Sequence, residues 1–403
     1  MKKVLKYIPC LFISLFIFVN VNALEIQSNN AILYNTNDNK VLYQKNENEK
    51  VQIASLTKIM TAIITLENIK NLDEKVILTQ EDFEGIVKEN LVTAGFHSTQ
   101  TVTYKDLLYG LLLPSGAECA KALSRLVGGS EANFVDMMNK KIKTLKLKST
   151  HFSNPIGLDD ENNYSSVKDI SELFSYALKN ETFKEIITTD NYKTSDNSLT
   201  ITNKIRHNKN VGDYLLGGKT GTTTDAGLCL ASIAQKKDVN FLLVTTNAPY
   251  DKKGPHNYED AKTIYEHFLN NYSYQNIVNK KDLILTLKTK YTKNSKVDFY
   301  SNKNIKAYLP NDYNKKDVTY KYKGIKTVTS KLKKGKQLGT LTIYYKTDKI
   351  ASEKIVLKEK QKFSLLKYIK AHKLQTTIII TLIILLLLVV KRRLKHGKKH
   401  RHA

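Results

Sequence analysis

Seventeen residues near the C-terminus, Leu374 to Val390, carry no charge and are almost all Ile, Leu, Val and Thr. As a helix at ~1.5 Å per residue this run covers ~25 Å, and snorkelling at its ends brings it to the hydrocarbon thickness of a bilayer. A buried soluble helix is the competing reading. The tail after Val390 argues against it, because Lys391-Arg392-Arg393 opens a stretch of seven Lys/Arg and no acid, the pattern of a positive-inside stop. At the other end Lys2, Lys3 and Lys6 precede an uncharged run from Tyr7 to Val19. Val21-Asn22-Ala23 then supplies small residues for cleavage, so residues 1–23 read as a secretory signal peptide. The expected organisation is therefore a body exported across the cell membrane, a single-pass transmembrane helix over 374–390, and a basic cytoplasmic tail over 391–403.

A chain of 403 residues is long enough for two or three domains. Its formal net charge is +26, of which the tail and the three leading lysines supply ten; much of the rest follows residue 275. A lysine-rich solvated surface is one reading and attraction to envelope polyanions another. An exported chain makes nucleic acid a poor partner. Of three cysteines, Cys10 falls in the leader, without the small-residue context of a lipoprotein site. Cys119 and Cys229 allow one disulfide, with buried free thiols as the simpler state. No Cys/His cluster has metal-ligand spacing and no glycine-rich phosphate loop occurs, so neither metal nor cofactor is expected.

Alternation in Ala31–Tyr34 and Val41–Tyr43, around a polar turn, predicts a hairpin. Helices are expected after Ser55, after Thr101 with Thr103 and Asp106 as a capping pattern, from about Phe134 to Leu145, and over Glu259–Phe268. Lys219 onward, Leu228–Ala234 and Phe241–Thr246 read as neighbouring strands. The fold class is thus α/β (α+β): an antiparallel sheet flanked by helices over residues 24–270. Short alternating runs at Leu283–Thr289, Val318–Tyr322, Leu341–Tyr345 and Ile355–Lys358 predict a small all-β domain over 275–362.

The chemistry centres on Ser55-Leu56-Thr57-Lys58. If a helix begins near Ser55, the hydroxyl and the amine lie at i and i+3 on one face, at the positive end of the helix dipole. A neutral lysine there is able to take the serine proton, the Ser-Lys variant of an activated nucleophile. The amine must then fall from ~10.4 towards ~7–8, and burial and a second nearby cation, with Lys219 as the candidate, both push it that way. The spacing alone is common: Ser165/Lys168, Ser330/Lys333 and Ser364/Lys367 share it. What singles out Ser55 is Ser115-Gly116 and Lys219-Thr220-Gly221 downstream.

With those motifs, and with Thr150-His151-Phe152-Ser153-Asn154-Pro155-Ile156-Gly157-Leu158, Tyr164–Asp169 and Ala226–Leu230, the chain resembles the low-molecular-mass penicillin-binding proteins. These are serine-type D-alanyl-D-alanine carboxypeptidases with a β-lactamase/transpeptidase-like catalytic domain. The resemblance implies Ser55 as nucleophile, Lys58 as base and Ser115 as a third catalytic residue. It implies Lys219, Thr220, Gly221 and Thr222 as substrate-binding residues, with the N–H groups of Ser55 and Thr222 as oxyanion hole. Lys204 or Arg206 becomes a candidate for the substrate carboxylate. It also implies peptidoglycan pentapeptide stems and β-lactam antibiotics as partners. One position departs from the pattern: Ala117 stands where S-x-N has Asn. Glu118 is either its substitute or a solvent-facing helix residue, and a literal Ser195-Asp196-Asn197 lies elsewhere. Two other functions remain open, a slow or non-catalytic penicillin-binding scaffold and a serine β-lactamase. The latter lacks an E-x-x-L-N stretch between Ser115 and Lys219.

Overall fold

A computed structural model describes residues 24–399 apart from 207 and 209, with side chains to Arg392. The expected leader with Cys10, the last residues of the basic tail, and the side chains between them and Arg392 lie outside the described residues. The chain divides after Leu269 into two compact units.

The first unit is built on a five-stranded antiparallel sheet. Its strands are β1 (Asn30–Asn35), β2 (Lys40–Lys45), β3 (Leu215–Thr223), β4 (Gly227–Lys236) and β5 (Val239–Ala248), in the order β2-β1-β5-β4-β3. Alternation assigns the two faces. Ala231 and Ile233 of β4 lie opposite Val244 and Leu242 of β5, and all four join the large core on the helical side. Ser232 and Phe241 face the other way, where Tyr265 of the C-terminal helix of the unit (His256–Asn271) bonds Ser232 Oγ at 2.9 Å and stacks on Phe241.

Between β2 and β3 the chain makes six helices: α1 (Lys58–Asn68), α2 (Tyr104–Leu112), α3 (Ala117–Gly128), α4 (Glu131–Leu145), α5 (Val167–Ala177) and α6 (Glu181–Thr188). Every residue of α1 from Lys58 to Thr65 is buried, so this helix runs through the core. Burying its Ile59, Met60, Ile63 and Ile64 stabilises the unit by about 1.5–3 kcal/mol for each side chain. The expected cap at Thr103 is present: its hydroxyl accepts from Asp106 N–H at 3.1 Å, and the Asp106 carboxylate accepts from Thr103 N–H at 2.8 Å.

In the second unit, β strands enclose a core that includes Ile277, Leu287, Phe299, Val328, Leu341, Ile343 and Ile355. Val318–Gly324, Gln337–Tyr345 and Asp348–Val356 form a three-stranded antiparallel sheet in that order. The expected strand at Ile355–Lys358 is the end of the last of these, which stops at Val356. Two helices follow, Leu365–Ala371 and Lys373–Lys399. The latter contains a 20-residue segment, Lys373–Arg392, long and apolar enough to cross a membrane.

Candidate active site

Ser55 sits in a single 3-10 turn, Ala54–Thr57, and α1 starts at Lys58, one turn later than the periodicity implies. The turn still closes the i,i+3 pair: Lys58 Nζ lies 3.0 Å from Ser55 Oγ. Ala54, just before the serine, takes a left-handed φ of 47°, a strain held by its surroundings. Those surroundings are the loop at 154–158, which Asn154 folds on itself by accepting from the N–H groups of Ile156, Gly157 and Leu158. Thr61 of α1 donates to the Pro155 carbonyl at 2.7 Å. Gly157 has φ +91°, and a Cβ there would stand 2.1 Å from the Ala54 carbonyl oxygen, so only glycine lets the loop press on the turn.

Lys58 is 1% exposed, and its second bond runs to the Ile156 carbonyl at 2.7 Å. Burial lowers its pKa to about 7, against a raising influence from Cys119 and Glu118. The amine is thus held near neutrality beside a hydroxyl, which is what a general base requires.

Lys219 faces this pair from β3. Its register partner is Ala231, which puts it on the helical side of the sheet with Gly221, opposite Cys229. Nζ bonds Ser115 Oγ at 2.9 Å and the Thr220 carbonyl at 2.7 Å. Burial and then the charge of Lys58 push its pKa well down. Desolvation is the largest influence on both amines, and the mutual repulsion of the two ammonium groups disfavours charging them together. Thr220 is half-buried and Thr222 exposed, both on the alternate face of β3. Gly221 brings the strand against the Ser55 turn: a Cβ on it would lie 2.9 Å from Ser55 N and from Ala54 Cβ. Because β3 ends the sheet, its outer N–H and C=O groups have no strand partner among the described residues.

Ser115 has a left-handed φ of 74° at the turn between α2 and α3. Gly116 N–H donates to Gly110 O and Ala117 N–H to Val92 O, each at 2.8 Å, which locks this turn in place. The Ala117 methyl is buried and brings no polar group. Glu118 is neither solvent-facing nor bonded to Lys58. It is fully buried, with Oε1 accepting from Ala94 N–H at 2.6 Å and Gly95 N–H at 3.2 Å, and with no partner for Oε2 among the described residues. Burial raises its pKa, and the backbone N–H groups offset part of that rise.

Ser195-Asp196-Asn197 lies apart from this constellation. Ser195 bonds Asp106 through its N–H at 2.9 Å and its hydroxyl at 2.6 Å, and Asp196 closes its own turn on Thr194 and Ser198. Arg206 is tied to Asp190 and to the Leu216 carbonyl. Cys119 and Cys229 are buried free thiols. Among the described residues no group of three or more His, Cys, Asp or Glu is arranged to hold a metal. The residues that sequence reasoning left without a role are those of the 154–158 loop. Its Asn, Pro and Gly are residues that favour turns, but a backbone carbonyl that binds a lysine has no signature of its own.

Residues 18–250 match the family model for D-alanyl-D-alanine carboxypeptidase, and residues 272–362 match the C-terminal domain of penicillin-binding protein 5. The chain is 27% identical over 340 residues to D-alanyl-D-alanine carboxypeptidase DacF of Bacillus subtilis, covering 82% of each chain. It is 34% identical to a D-alanyl-D-alanine carboxypeptidase of Streptomyces strain K15, over 48% of this chain and 73% of that one. Penicillin-binding protein 5 from Haemophilus influenzae shares the fold, with a TM-score of 0.62 at 22% identity over 84% of this chain and 98% of that one. The Streptomyces K15 DD-transpeptidase superposes with a TM-score of 0.55 at 28% identity, over 60% and 97%. The catalytic match covers more than half of the chain, and the Ser55, Ser115 and Lys219 motifs lie within it: the chain belongs to the D-alanyl-D-alanine carboxypeptidase family of serine peptidases.

Proposed function

We propose that this protein removes the terminal D-alanine from peptidoglycan stem peptides through an acyl-enzyme on Ser55. The observation that carries the reading is the 3.0 Å bond from a buried lysine, with its pKa lowered to about 7, to the serine hydroxyl. In the neutral form Lys58 accepts the Ser55 proton as Oγ attacks the penultimate D-Ala carbonyl. The oxyanion forms between the N–H groups of Ser55 and Thr222, which the absence of a side chain on Gly221 allows to stand together. As the C–N bond breaks, the proton that Lys58 took from Ser55 passes by way of the Ser115 hydroxyl, which Lys219 holds at 2.9 Å, to the departing D-Ala amine, and Lys58 is neutral again. Lys219, Thr220 and the β3 edge bind the substrate backbone and carboxylate. Water, activated by Lys58, then hydrolyses the ester.

The same serine takes β-lactams, whose strained amide is opened to a penicilloyl ester. Mass mapping after treatment with a fluorescent penicillin is expected to find the adduct on Ser55. An adduct on Ser195, or none on folded protein, would defeat the assignment. The name of the Streptomyces K15 neighbour, a DD-transpeptidase, marks a second outcome in which an amine replaces water as acceptor. Adding glycine to the reaction and measuring the glycyl product against the hydrolysed one separates the two.

The sequence and the apolar helix together support this organisation: a leader over 1–23, a catalytic domain over 24–270, a β domain over 275–362, a span over 374–390 and a tail over 391–403. With such a span the catalytic domain lies on the extracytoplasmic side, where stem peptides are. The basic tail sets this direction.

A further inference from the structure

Charge is divided unevenly along the chain. Residues 24–269 hold 28 Lys/Arg against 31 Asp/Glu, a net of −3, whereas residues 270–362 hold 23 lysines against seven acids, a net of +16. The β unit has no arginine at all. In the three-stranded sheet, strand register sorts side chains onto an inner and an outer face. Leu341, Ile343 and Tyr345 are buried on the inner face, where Glu353 lies opposite Leu341 and Asp348 opposite Tyr345.

The outer face consists of three cross-strand rows: Thr319-Tyr344-Lys349, Lys321-Thr342-Ser352 and Lys323-Thr340-Lys354. These nine residues include four lysines, four hydroxyl residues and one tyrosine, and no acid. All four lysines are exposed. The Lys321 ammonium lies 4.8 Å from the centre of the Tyr344 ring, which fixes it on this face. Lys321 and Lys323 are about 7 Å apart along one strand, and Lys323 and Lys354 about 10 Å apart across two.

We infer that this acid-free lysine and hydroxyl face is a docking surface for a linear polyanion of phosphodiester-linked polyol units. Ammonium groups about 7–10 Å apart meet phosphates along the chain, and the Thr and Ser hydroxyls beside them meet polyol oxygens. Lysine suits such a partner, because a compact, hydrated, mobile charge neutralises a flexible chain of phosphates without demanding one geometry. An anionic bilayer is the other surface of matching charge. Proteins that lie on bilayers insert Trp, Phe or Leu side chains, and this face presents none. A chain with its own apolar helix also has little need of a second hold on lipid.

The test uses the full chain in phosphatidylcholine nanodiscs and fluorescent poly(glycerol phosphate), with anisotropy read over a range of salt concentrations. The wild type is expected to bind. A variant with Lys321, Lys323, Lys349 and Lys354 all changed to Gln should bind at least about tenfold more weakly at low salt. Its plot of log K against log salt should be shallower by about 3, at ~0.7 for each phosphate that is no longer neutralised. A charge-matched variant with Lys280, Lys281, Lys303 and Lys306 changed to Gln should stay within about threefold of wild type. D-Ala release from a soluble peptide should be equal in all three, which reports an intact catalytic unit, and thermal melts report folding of the second unit. If the fourfold variant fails to fold, Lys321→Gln with Lys323→Gln should give half the change in slope. Equal loss in both charge-matched variants would overturn the proposal, since binding would then follow net charge. So would absence of polymer binding by wild type, or a preference for phosphatidylglycerol vesicles that depends on the same four lysines.

Discussion

Gly221→Ala puts the proposed oxyanion geometry to a direct test. The added Cβ would lie 2.9 Å from Ser55 N and Ala54 Cβ and 3.0 Å from the Ile53 carbonyl oxygen, where ordinary contacts begin at 3.4 Å. The β3 edge and the Ser55 turn must therefore separate by about 0.5 Å. Neither side yields easily: Ala54 is held by the Gly157 loop, and β3 is paired along its length with β4. Overpacking of this kind costs about 1–3 kcal/mol. Each kcal/mol lowers the melting temperature of a domain this size by about 2–4 °C. The effect on rate is larger. Loss of one oxyanion donor costs about 10²–10³ in rate, and misplacement by ~1 Å about 10². Acylation by a fluorescent penicillin, followed by stopped flow below the melting transition, should slow by about 10²-fold while the protein stays folded. An acylation rate within threefold of wild type, with the expected drop in melting temperature, would show that the strand edge plays no part in the chemistry.

Three other expectations are independent of that one. Acylation should rise with pH as Lys58 loses its proton, half-maximal near pH 7 and level above. Lys58→Arg, which stays charged throughout, should be inert from pH 5 to 9 in the same stopped-flow assay. Asp106 is fully buried; burial raises its pKa, but bonds from Ser195 and Thr103 outweigh this and leave it lowered. A group depressed in the folded state contributes stability that is present above its unfolded pKa of ~4 and is lost as pH falls through the folded value. Asp106→Ala should therefore destabilise by about 2–4 kcal/mol at pH 7 and by less at pH 2, as read by denaturant melts at the two values. Glu118→Ala leaves the Ala94 and Gly95 N–H groups without their acceptor and should cost about 1–3 kcal/mol; unchanged thermal stability would show that the 94–95 segment is held by other contacts.

Much of the site was legible in the sequence because it depends on spacing. A serine and lysine three residues apart must share a side of any helical turn, whether it is 3-10 or α. Strand alternation likewise sends Lys219 and Gly221 to one face. What could not be read depends on the backbone of distant segments. The Ile156 carbonyl, the second partner of Lys58, belongs to a loop 98 residues away in sequence. For Glu118 the sequence leaves two readings open, a substitute for the missing Asn or a solvent-facing helix residue, and neither anticipates that α3 is buried on most of its surface and turns the carboxylate inward. The literal Ser195-Asp196-Asn197 matched a pattern whose chemistry it lacks. Its serine serves the Asp106 cap. In the second unit, the strands Lys296–Tyr300 and Ile305–Pro310 have no clear signature in the sequence, because each is only five or six residues long and carries a lysine, with Asp298 in one and Pro310 in the other.

Everything proposed for the site turns on Ser55, deprotonated by Lys58, attacking the D-Ala-D-Ala peptide bond. The decisive measurement is D-Ala release from diacetyl-Lys-D-Ala-D-Ala by wild type beside Ser55→Ala, both shown to be folded. Wild type should release D-Ala despite Ala117, with a loss on the order of 10³-fold or more in the variant. Release that survives Ser55→Ala would contradict this chemistry, as would folded wild type that neither releases D-Ala nor is labelled by penicillin.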